Sequence, residues 1–136
     1  LNTLAFSPFR GPLFESLILA DIVKQYANVG MRSPLYYWRD RGHEVDGIVD
    51  IDNMQFPIEV KSSTDLSANF FKALEYWSEI AQINPEQSFL VYGGDRMQER
   101  TKGTVVGWKY AGNIKKMIDK KIEDHIVALR KAHNKE

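Results

Sequence analysis

Hydrophobic residues recur at helical spacing near the start of the chain, between Pro12 and Val29. A proline in the first turn and a glycine, Gly30, just beyond the last apolar residue are typical of the two ends of a helix. We therefore predict a first helix over this stretch. At about 100° per residue, Glu15 falls near the middle of its apolar face. That face carries Ile18, Leu19, Ile22, Val23 and Tyr26, and the opposite side carries Asp21, Lys24 and Asn28.

The pattern then changes to alternation of apolar and polar residues, which is typical of strands. An aromatic-rich segment, Pro34 to Arg39, precedes a turn around Asp40-Arg41-Gly42. Glu44 to Ile51 and Met54 to Ser62 both alternate, and only the polar pair Asp52-Asn53 separates them. We expect one strand followed by a tight hairpin of two strands.

The second half of the chain continues with mixed elements. Ser67 is suited to cap a second helix that ends before Asn84-Pro85. The remaining predictions are a helix to about Ile83, a strand over Gln87 to Tyr92, a charged loop over Asp95 to Lys102, a last strand over Thr104 to Trp108, and a basic amphipathic helix from Asn113 to about Ala132. The fold class is thus α/β: an αβββαβ order with a C-terminal β-α extension, and a central mixed sheet flanked by helices.

The hairpin gathers carboxylates. With Asp52-Asn53 alone in the turn, Asp46 lies opposite Glu59 and Glu44 lies opposite Lys61, and directly paired residues share a face. Adjacent carboxylates repel each other, and a divalent cation relieves that repulsion. The alternative is an ordinary solvated face of an antiparallel sheet. The other face is expected to be a core face with Val45, Val49, Ile51, Met54, Phe56, Ile58 and Val60.

Glu15 strengthens the case for a site. A carboxylate within an apolar stripe is costly unless a cation, a metal or a hydrogen bond compensates it. The competing interpretation is a glutamate near a helix start, favoured by the helix dipole. His43, beside the acidic strand, has two interpretations as well: a phosphate contact or a merely exposed turn residue.

Composition narrows the function classes. The chain has 136 residues and no cysteine, so thiolate metal sites and disulfides are excluded, and a reducing cytoplasm is the expected compartment. Its apolar stretches are far shorter than the roughly 20 residues of a membrane span, so we expect no membrane partner.

The 18 basic and 18 acidic residues balance, and a dedicated nucleic-acid binder usually has a basic excess. Because the sequence begins abruptly at Leu1, we interpret it as one domain, 1–136, of a longer protein.

Four motifs in order resemble a known family. Glu15 on a helix, Glu44-Val45-Asp46 on one strand and Ile58-Glu59-Val60-Lys61 on the next are similar to the core of the PD-(D/E)xK, restriction-endonuclease-like nucleases. With Gly11-Pro12-Leu13-Phe14-Glu15 and Tyr37-Trp38-Arg39-Asp40 added, the sequence resembles more closely the C-terminal domain of unknown function of bacterial and archaeal AAA-type ATPases. The similarity runs from about Gly11 to Tyr92, which makes 11–93 the core and 103–134 the extension.

The resemblance implies a divalent-metal site. Asp46, Glu59 and the backbone carbonyl of Val60 would bind Mg²⁺ or Mn²⁺, Glu15 would support the metal or its waters, and Lys61 would orient the attacking water. Such a set suits phosphodiester cleavage, because Mg²⁺ prefers hard oxygen ligands and keeps several waters. The partners implied are DNA and an AAA-type ATPase domain of the same longer chain; a second copy of this chain is a further candidate.

Two positions depart from the superfamily pattern. Val45 stands where the name of the superfamily has a proline, and Lys72 stands four residues before Tyr76, where the RecB-like branch has a glutamine. Three functions therefore stay open: a metal-dependent nuclease-like domain that cleaves or binds DNA, a catalytically degenerate nuclease fold that serves as an interaction or regulatory module of an ATPase, and a domain whose acidic patch is only surface.

Overall fold

A computed structural model describes residues 10–135 of the chain, with the side chain of Arg10 excepted. The abrupt start at Leu1 lies outside this range. In chain order the helices and strands are α1 (Arg10–Ala27), β1 (Leu35–Asp40), β2 (His43–Ile51), β3 (Met54–Lys61), α2 (Lys72–Ala81), β4 (Phe89–Tyr92), β5 (Met97–Arg100), β6 (Gly103–Gly107) and α3 (Ile114–Asn134). Short 3₁₀ turns cover Ala68–Phe71, Pro85–Gln87 and Trp108–Asn113.

The six strands form one mixed sheet in the order β1-β2-β3-β4-β6-β5. The first three strands are antiparallel, β3, β4 and β6 run parallel, and β5 returns antiparallel to β6. The predicted mixed sheet flanked by helices is confirmed, and both hairpin strands are interior strands. α2 forms the crossover between the parallel strands β3 and β4, since parallel neighbours need a long connection.

Helices cover both faces of the sheet and enclose two apolar clusters. α1 and α3 pack on one face, where Ile22 and Ile118 are fully buried among residues of β3, β4 and β6. α2 packs on the other face, where Phe71, Leu74 and Trp77 meet Leu90 and Val105. The expectation that the first and second helices lie on opposite faces is therefore correct.

The β2–β3 hairpin has the predicted two-residue turn. Asp52 and Asn53 have φ of 53° and 61°, left-handed values that Asp and Asn tolerate better than most residues. Ile51 pairs with Met54, and the register continues to Gly47 opposite Ile58.

Beyond Gly47 the prediction needs a correction, because β2 contains a bulge. Opposite β1, the register steps from Tyr36↔Ile48 to Trp38↔Val45, so β2 has one residue more than β1 at Asp46-Gly47. Val45 consequently lies in the α2-side cluster with Ile48, whereas Val49 lies in the α1-side cluster. The expectation that Val45 and Val49 share a core face was wrong.

The segment after β4 also differs from the prediction. Asp95 to Lys102 was expected to be a charged loop, but Met97–Arg100 forms the edge strand β5. Backbone pairing with β6 holds this strand, from Met97↔Val106 to Arg100↔Gly103, so its own polar sequence does not prevent it. The predicted β-α extension over 103–134 contains β6 and α3, and β5 is an additional strand that precedes it.

Candidate functional site

The candidate site lies where β2 and β3 stop pairing. The ladder between them ends at Gly47 and Ile58, and the carboxylate of Asp46 accepts a hydrogen bond from the backbone N–H of Val60 at 2.8 Å. Asp46 and Glu59 therefore do not meet as a ladder pair. A side-chain hydrogen bond nevertheless links Glu59 to Asp46, so the bulge and this backbone contact bring the two carboxyl groups together.

Glu44 and Lys61 do not form the predicted cross-strand pair. Glu44 pairs with Arg39 of β1, and its carboxylate accepts a hydrogen bond from the hydroxyl of Tyr37 at 2.5 Å. Both Glu44 and Lys61 still line the same cleft. The predicted juxtaposition was wrong in register, because the bulge at Asp46 interrupts the ladder before it reaches Glu44.

Close packing of α1 on β2 brings Glu15 to the same point. A β-carbon on Gly47 would lie 3.1 Å from Cδ2 of Leu19 and 2.7 Å from Cδ1 of Leu35, so glycine at this position lets α1 approach the strand. Glu15 and Leu19 are one helical turn apart and share a face. Leu19 thus lies over Gly47 while Glu15 hydrogen-bonds the adjacent Asp46.

Burial and mutual repulsion shift the ionisation of this carboxyl cluster. Glu59 is only 5% exposed, and burial, followed by the hydrogen bond to Asp46 and its negative charge, raises its pKa to about 9. Burial and the charges of Asp46 and Glu44 raise the pKa of half-buried Glu15 to about 7. Carboxyl groups bridged by hydrogen bonds must share protons, so near neutral pH the cluster is partly protonated.

Lys61 supplies the positive charge next to the cluster. Its charge lowers the pKa of both Glu15 and Glu59, opposing the larger effect of burial. Nζ of Lys61 lies 5.8 Å from the centre of the Phe70 ring, an arrangement compatible with a weak cation–π contact. Within residues 10–135 Lys61 makes no direct ion pair, so its ammonium group is available to a ligand.

These side chains face a cleft of about 470 Å³ between α1, α2 and the end of the hairpin. The predicted site residues line one part of the cleft, and residues of α2 and of the β1–β2 region line another part. The lining residues are Glu15, Gly42, His43, Glu44, Asp46, Glu59, Val60, Lys61, Lys72, Ala73 and Tyr76. All five predicted site residues, Glu15, Asp46, Glu59, Val60 and Lys61, are therefore brought to one place.

The chemistry of this set fits a hard divalent cation. It offers carboxylate oxygens that repel one another and a neighbouring backbone carbonyl, which is the donor type that Mg²⁺ and Mn²⁺ prefer. In the arrangement described, no three His, Cys, Asp or Glu side chains of residues 10–135 converge as a ready metal-holding group.

The sequence analysis gave little weight to three residues that line the cleft: His43, Lys72 and Tyr76. The imidazole of His43 stacks on the Tyr76 ring, with centroids 3.7 Å apart and an angle of 13° between the planes. The four-residue spacing of Lys72 and Tyr76 is the one available signal, because it places both on one face of α2. No local pattern links His43 to that face, since the contact joins the first residue of β2 to a helix.

Comparison with known families gives the class of the chain. The fold and the site define a mixed α/β domain with a cleft beside a strand bulge, and carboxylates and a lysine line that cleft. Residues 10–111 match the family model described as "Domain of unknown function (DUF4143)". The chain therefore belongs to the DUF4143 family. No curated protein and no solved structure matches the chain significantly.

No helix within residues 10–135 is long and apolar enough to cross a membrane.

Proposed function

We propose that this chain is a divalent-metal-dependent, nuclease-like domain with a restriction-endonuclease-like core that cleaves or binds DNA. One observation carries the proposal: Glu15, Asp46, Glu59 and Lys61, which come from a helix and two strands, line one cleft. Carboxylates can hold Mg²⁺ or Mn²⁺ for phosphodiester cleavage, and a lysine two residues after the second carboxylate is the arrangement of the PD-(D/E)xK nucleases that the sequence resembles. The resemblance to AAA-type ATPase C-terminal domains supports attachment to an ATPase.

The residues divide the chemistry among them. Asp46, Glu59 and the carbonyl of Val60 would hold the cation, and Glu15 would hold its waters. A bound cation would neutralise charge on the phosphate and lower the pKa of a water. Lys61 would hold the attacking water and offset phosphate charge; a compact ammonium suits this role better than the planar guanidinium of arginine.

The proposal predicts metal-dependent cleavage that requires Asp46 and Lys61. The protein is incubated with supercoiled, linear double-stranded and single-stranded DNA in Mg²⁺ or Mn²⁺, with chelator controls, and products are resolved on gels. Asp46→Asn is preferred to alanine, because the amide oxygen still accepts the Val60 N–H. We expect both Asp46→Asn and Lys61→Ala to reduce the rate by at least about a hundredfold, since the first weakens the hold on the cation and the second removes a positive charge beside the phosphate.

Lys120→Ala is the matched control, because this exposed lysine lies on α3 and does not line the cleft. It should cleave at the wild-type rate. Cleavage that survives in both site variants at the wild-type rate comes from a contaminant and refutes the proposal.

The balanced charge of the chain favours a second candidate, a degenerate nuclease fold that serves as an interaction or regulatory module of an ATPase. With 18 basic and 18 acidic residues, the chain lacks the basic excess that most nucleic-acid binders have. Under this alternative the wild-type protein neither cleaves DNA nor gains thermal stability in Mn²⁺. ATP hydrolysis by the longer protein should instead change when the domain is removed.

A further inference from the structure

Besides the carboxylates, the cleft is lined by a lysine and a histidine that form no ion pair within residues 10–135. Lys72, at the start of α2, and His43, in the β1–β2 turn region, both line the cleft and both are exposed. Within residues 10–135 neither takes part in an ion pair. A lysine without an ion-pair partner and the ring N–H of a histidine, both facing a cleft, are suited to bind an anion, the first by its charge and the second by a hydrogen bond.

An aromatic stack fixes the orientation of His43. Its ring lies flat on Tyr76; Tyr76 contacts Trp38 with centroids 6.2 Å apart, and Trp38 contacts Trp77 at 4.8 Å. Trp77 is only 7% exposed, so the stack runs from the cleft wall into the core. Flat stacking leaves the ring edge of His43, and with it the nitrogen atoms, free of the Tyr76 contact.

The same face of α2 supplies Lys72. Lys72 and Tyr76 are four residues apart, so Lys72 extends from the same helix face as the tyrosine that orients His43. The stack thus preorganises His43, so that a ligand would have to order only the lysine side chain.

We propose that Lys72 and His43 form a subsite that binds a phosphate of a DNA strand, Lys72 by its charge and His43 by a hydrogen bond from its ring N–H, next to the phosphate held at the carboxylate cluster. This inference rests on the proposed function for its choice of ligand. The two parts of the cleft bind phosphate in different ways. The carboxylate cluster can bind a phosphate only together with a divalent cation, whereas Lys72 and His43 can bind one directly. A single strand lying across the cleft would meet both.

The test measures binding of a short fluorescein-labelled single-stranded DNA by anisotropy, in Ca²⁺ and in chelator, over a series of salt concentrations. We expect Lys72→Ala to weaken binding about fivefold to tenfold at low salt and to reduce the slope of log K against log [salt] by roughly 0.7, the value for one lost phosphate contact on a single strand. Lys72→Arg should restore both quantities, and Lys120→Ala should change neither.

The role of the stack is tested separately. Tyr76→Leu removes the ring that supports His43, and should weaken binding to about the extent of His43→Ala, whereas Tyr76→Phe keeps the ring and should bind like the wild type. Thermal melts of each variant in the same buffer identify any variant that is unfolded. Because Lys72 is exposed, we expect Lys72→Ala to melt like the wild type.

The outcomes separate this inference from the proposed function. Equal affinity and equal salt slope for Lys72→Ala and Lys120→Ala would overturn the subsite, even if the protein cleaves DNA with Mn²⁺. The subsite is also refuted if the wild-type protein fails to bind the DNA in either buffer. Binding that depends on Lys72, in a protein without cleavage or a metal-dependent change, supports the subsite while refuting the nuclease.

Discussion

Glu59 illustrates how a single buried residue sets the properties of the site. Its carboxyl group is almost fully buried and shares a hydrogen bond with Asp46, so its neutral form is favoured up to a pKa of about 9. A neutral carboxylic acid is a poor metal ligand, because cations bind the deprotonated form. A divalent cation must therefore displace the proton of Glu59. At neutral pH it must also displace the proton of Glu15 in the fraction of molecules that carry it, because the pKa of Glu15 is about 7.

This ionisation predicts that the metal-free protein loses stability as the pH rises. Both glutamates have folded-state pKa values raised above the ordinary value of 4.5, so the folded state holds more protons than the unfolded state. The free energy of unfolding must then fall with increasing pH between 4.5 and about 9. Thermal melts in chelator, from about pH 5 to about pH 9, should show a falling Tm, and millimolar Mn²⁺ should flatten the fall.

Glu59→Gln is the control for this pH dependence, since glutamine has nearly the shape of the neutral acid but cannot ionise. Its Tm should fall less steeply with pH, and Mn²⁺ should no longer raise it. A wild-type Tm that rises over the same pH range would contradict the assignment of protons to this cluster.

Strand ends, rather than strand centres, position the site at the level of elements. β3 ends at Lys61, and the backbone beyond it packs tightly against the end of β4. The N–H of Gly93 donates to the carbonyl of Ser63 at 2.8 Å. A β-carbon on Gly93 would lie 2.4 Å from the carbonyl oxygen of Ser62. Only glycine lets the two strands approach this closely beside Lys61.

Gly93→Ala is accordingly expected to destabilise the fold and to displace the end of β3. The contact involves backbone atoms on both sides, so relief requires a backbone shift, with a cost of about 1–3 kcal/mol. Chemical denaturation should show this loss. Gly112→Ala is the matched control, because its nearest contact would be Oδ2 of Asp21 at an ordinary 3.9 Å. Equal stabilities of the two variants would show that the strand ends adapt freely.

The comparison of sequence and structure at this level follows a physical rule. The first helix, the hairpin and its Asp52-Asn53 turn were predictable, because local periodicity and turn chemistry determine them. The bulge at Asp46 was not, because it depends on how α1 and β1 pack around Gly47. For the same reason, the sequence identified the carboxylates and the lysine of the cleft but gave the wrong ladder partner to Asp46.

β5 is missed by sequence analysis for a different reason. Met97-Gln98-Glu99-Arg100 has no apolar alternation, and only the partner strand β6 makes it a strand. Edge strands with charged side chains are common, because charge discourages pairing with other chains. Such strands look like loops when only the sequence is read.

At the scale of the whole molecule, only the first part of the last helix packs against the sheet. In α3, Ile114, Ile118 and Ile122 are buried against the sheet, whereas every residue from Glu123 to Lys135 is exposed. The basic amphipathic helix was predicted, with an apolar stripe of Ile118, Ile122, Ile126 and Leu129. The last two are in fact 43% and 57% exposed, so they do not contribute to the described core.

Removal of residues 124–136 should therefore leave the domain folded. Surface segments of this kind contribute little to stability, so we expect a Tm within about 2–3 °C of the full chain in differential scanning fluorimetry. Ile118→Ala, in the buried half of the same helix, should cost about 2–5 kcal/mol and lower the Tm much more. A truncated chain that melts as low as Ile118→Ala would show that the exposed half of α3 supports the fold.

The turn at Asp52 and Asn53 has a consequence for how this domain tolerates change in length. Strand residues alternate between faces, so inserting or deleting one residue in the turn slips the register and reverses which residues of β3 face each side of the sheet. Asp46 lies five residues before the end of β2, roughly 17 Å along the strand at about 3.3 Å per residue. A change at the far tip of the hairpin would thus disassemble the carboxylate cluster without touching it. The site therefore restricts the length of a turn whose two residues are both exposed.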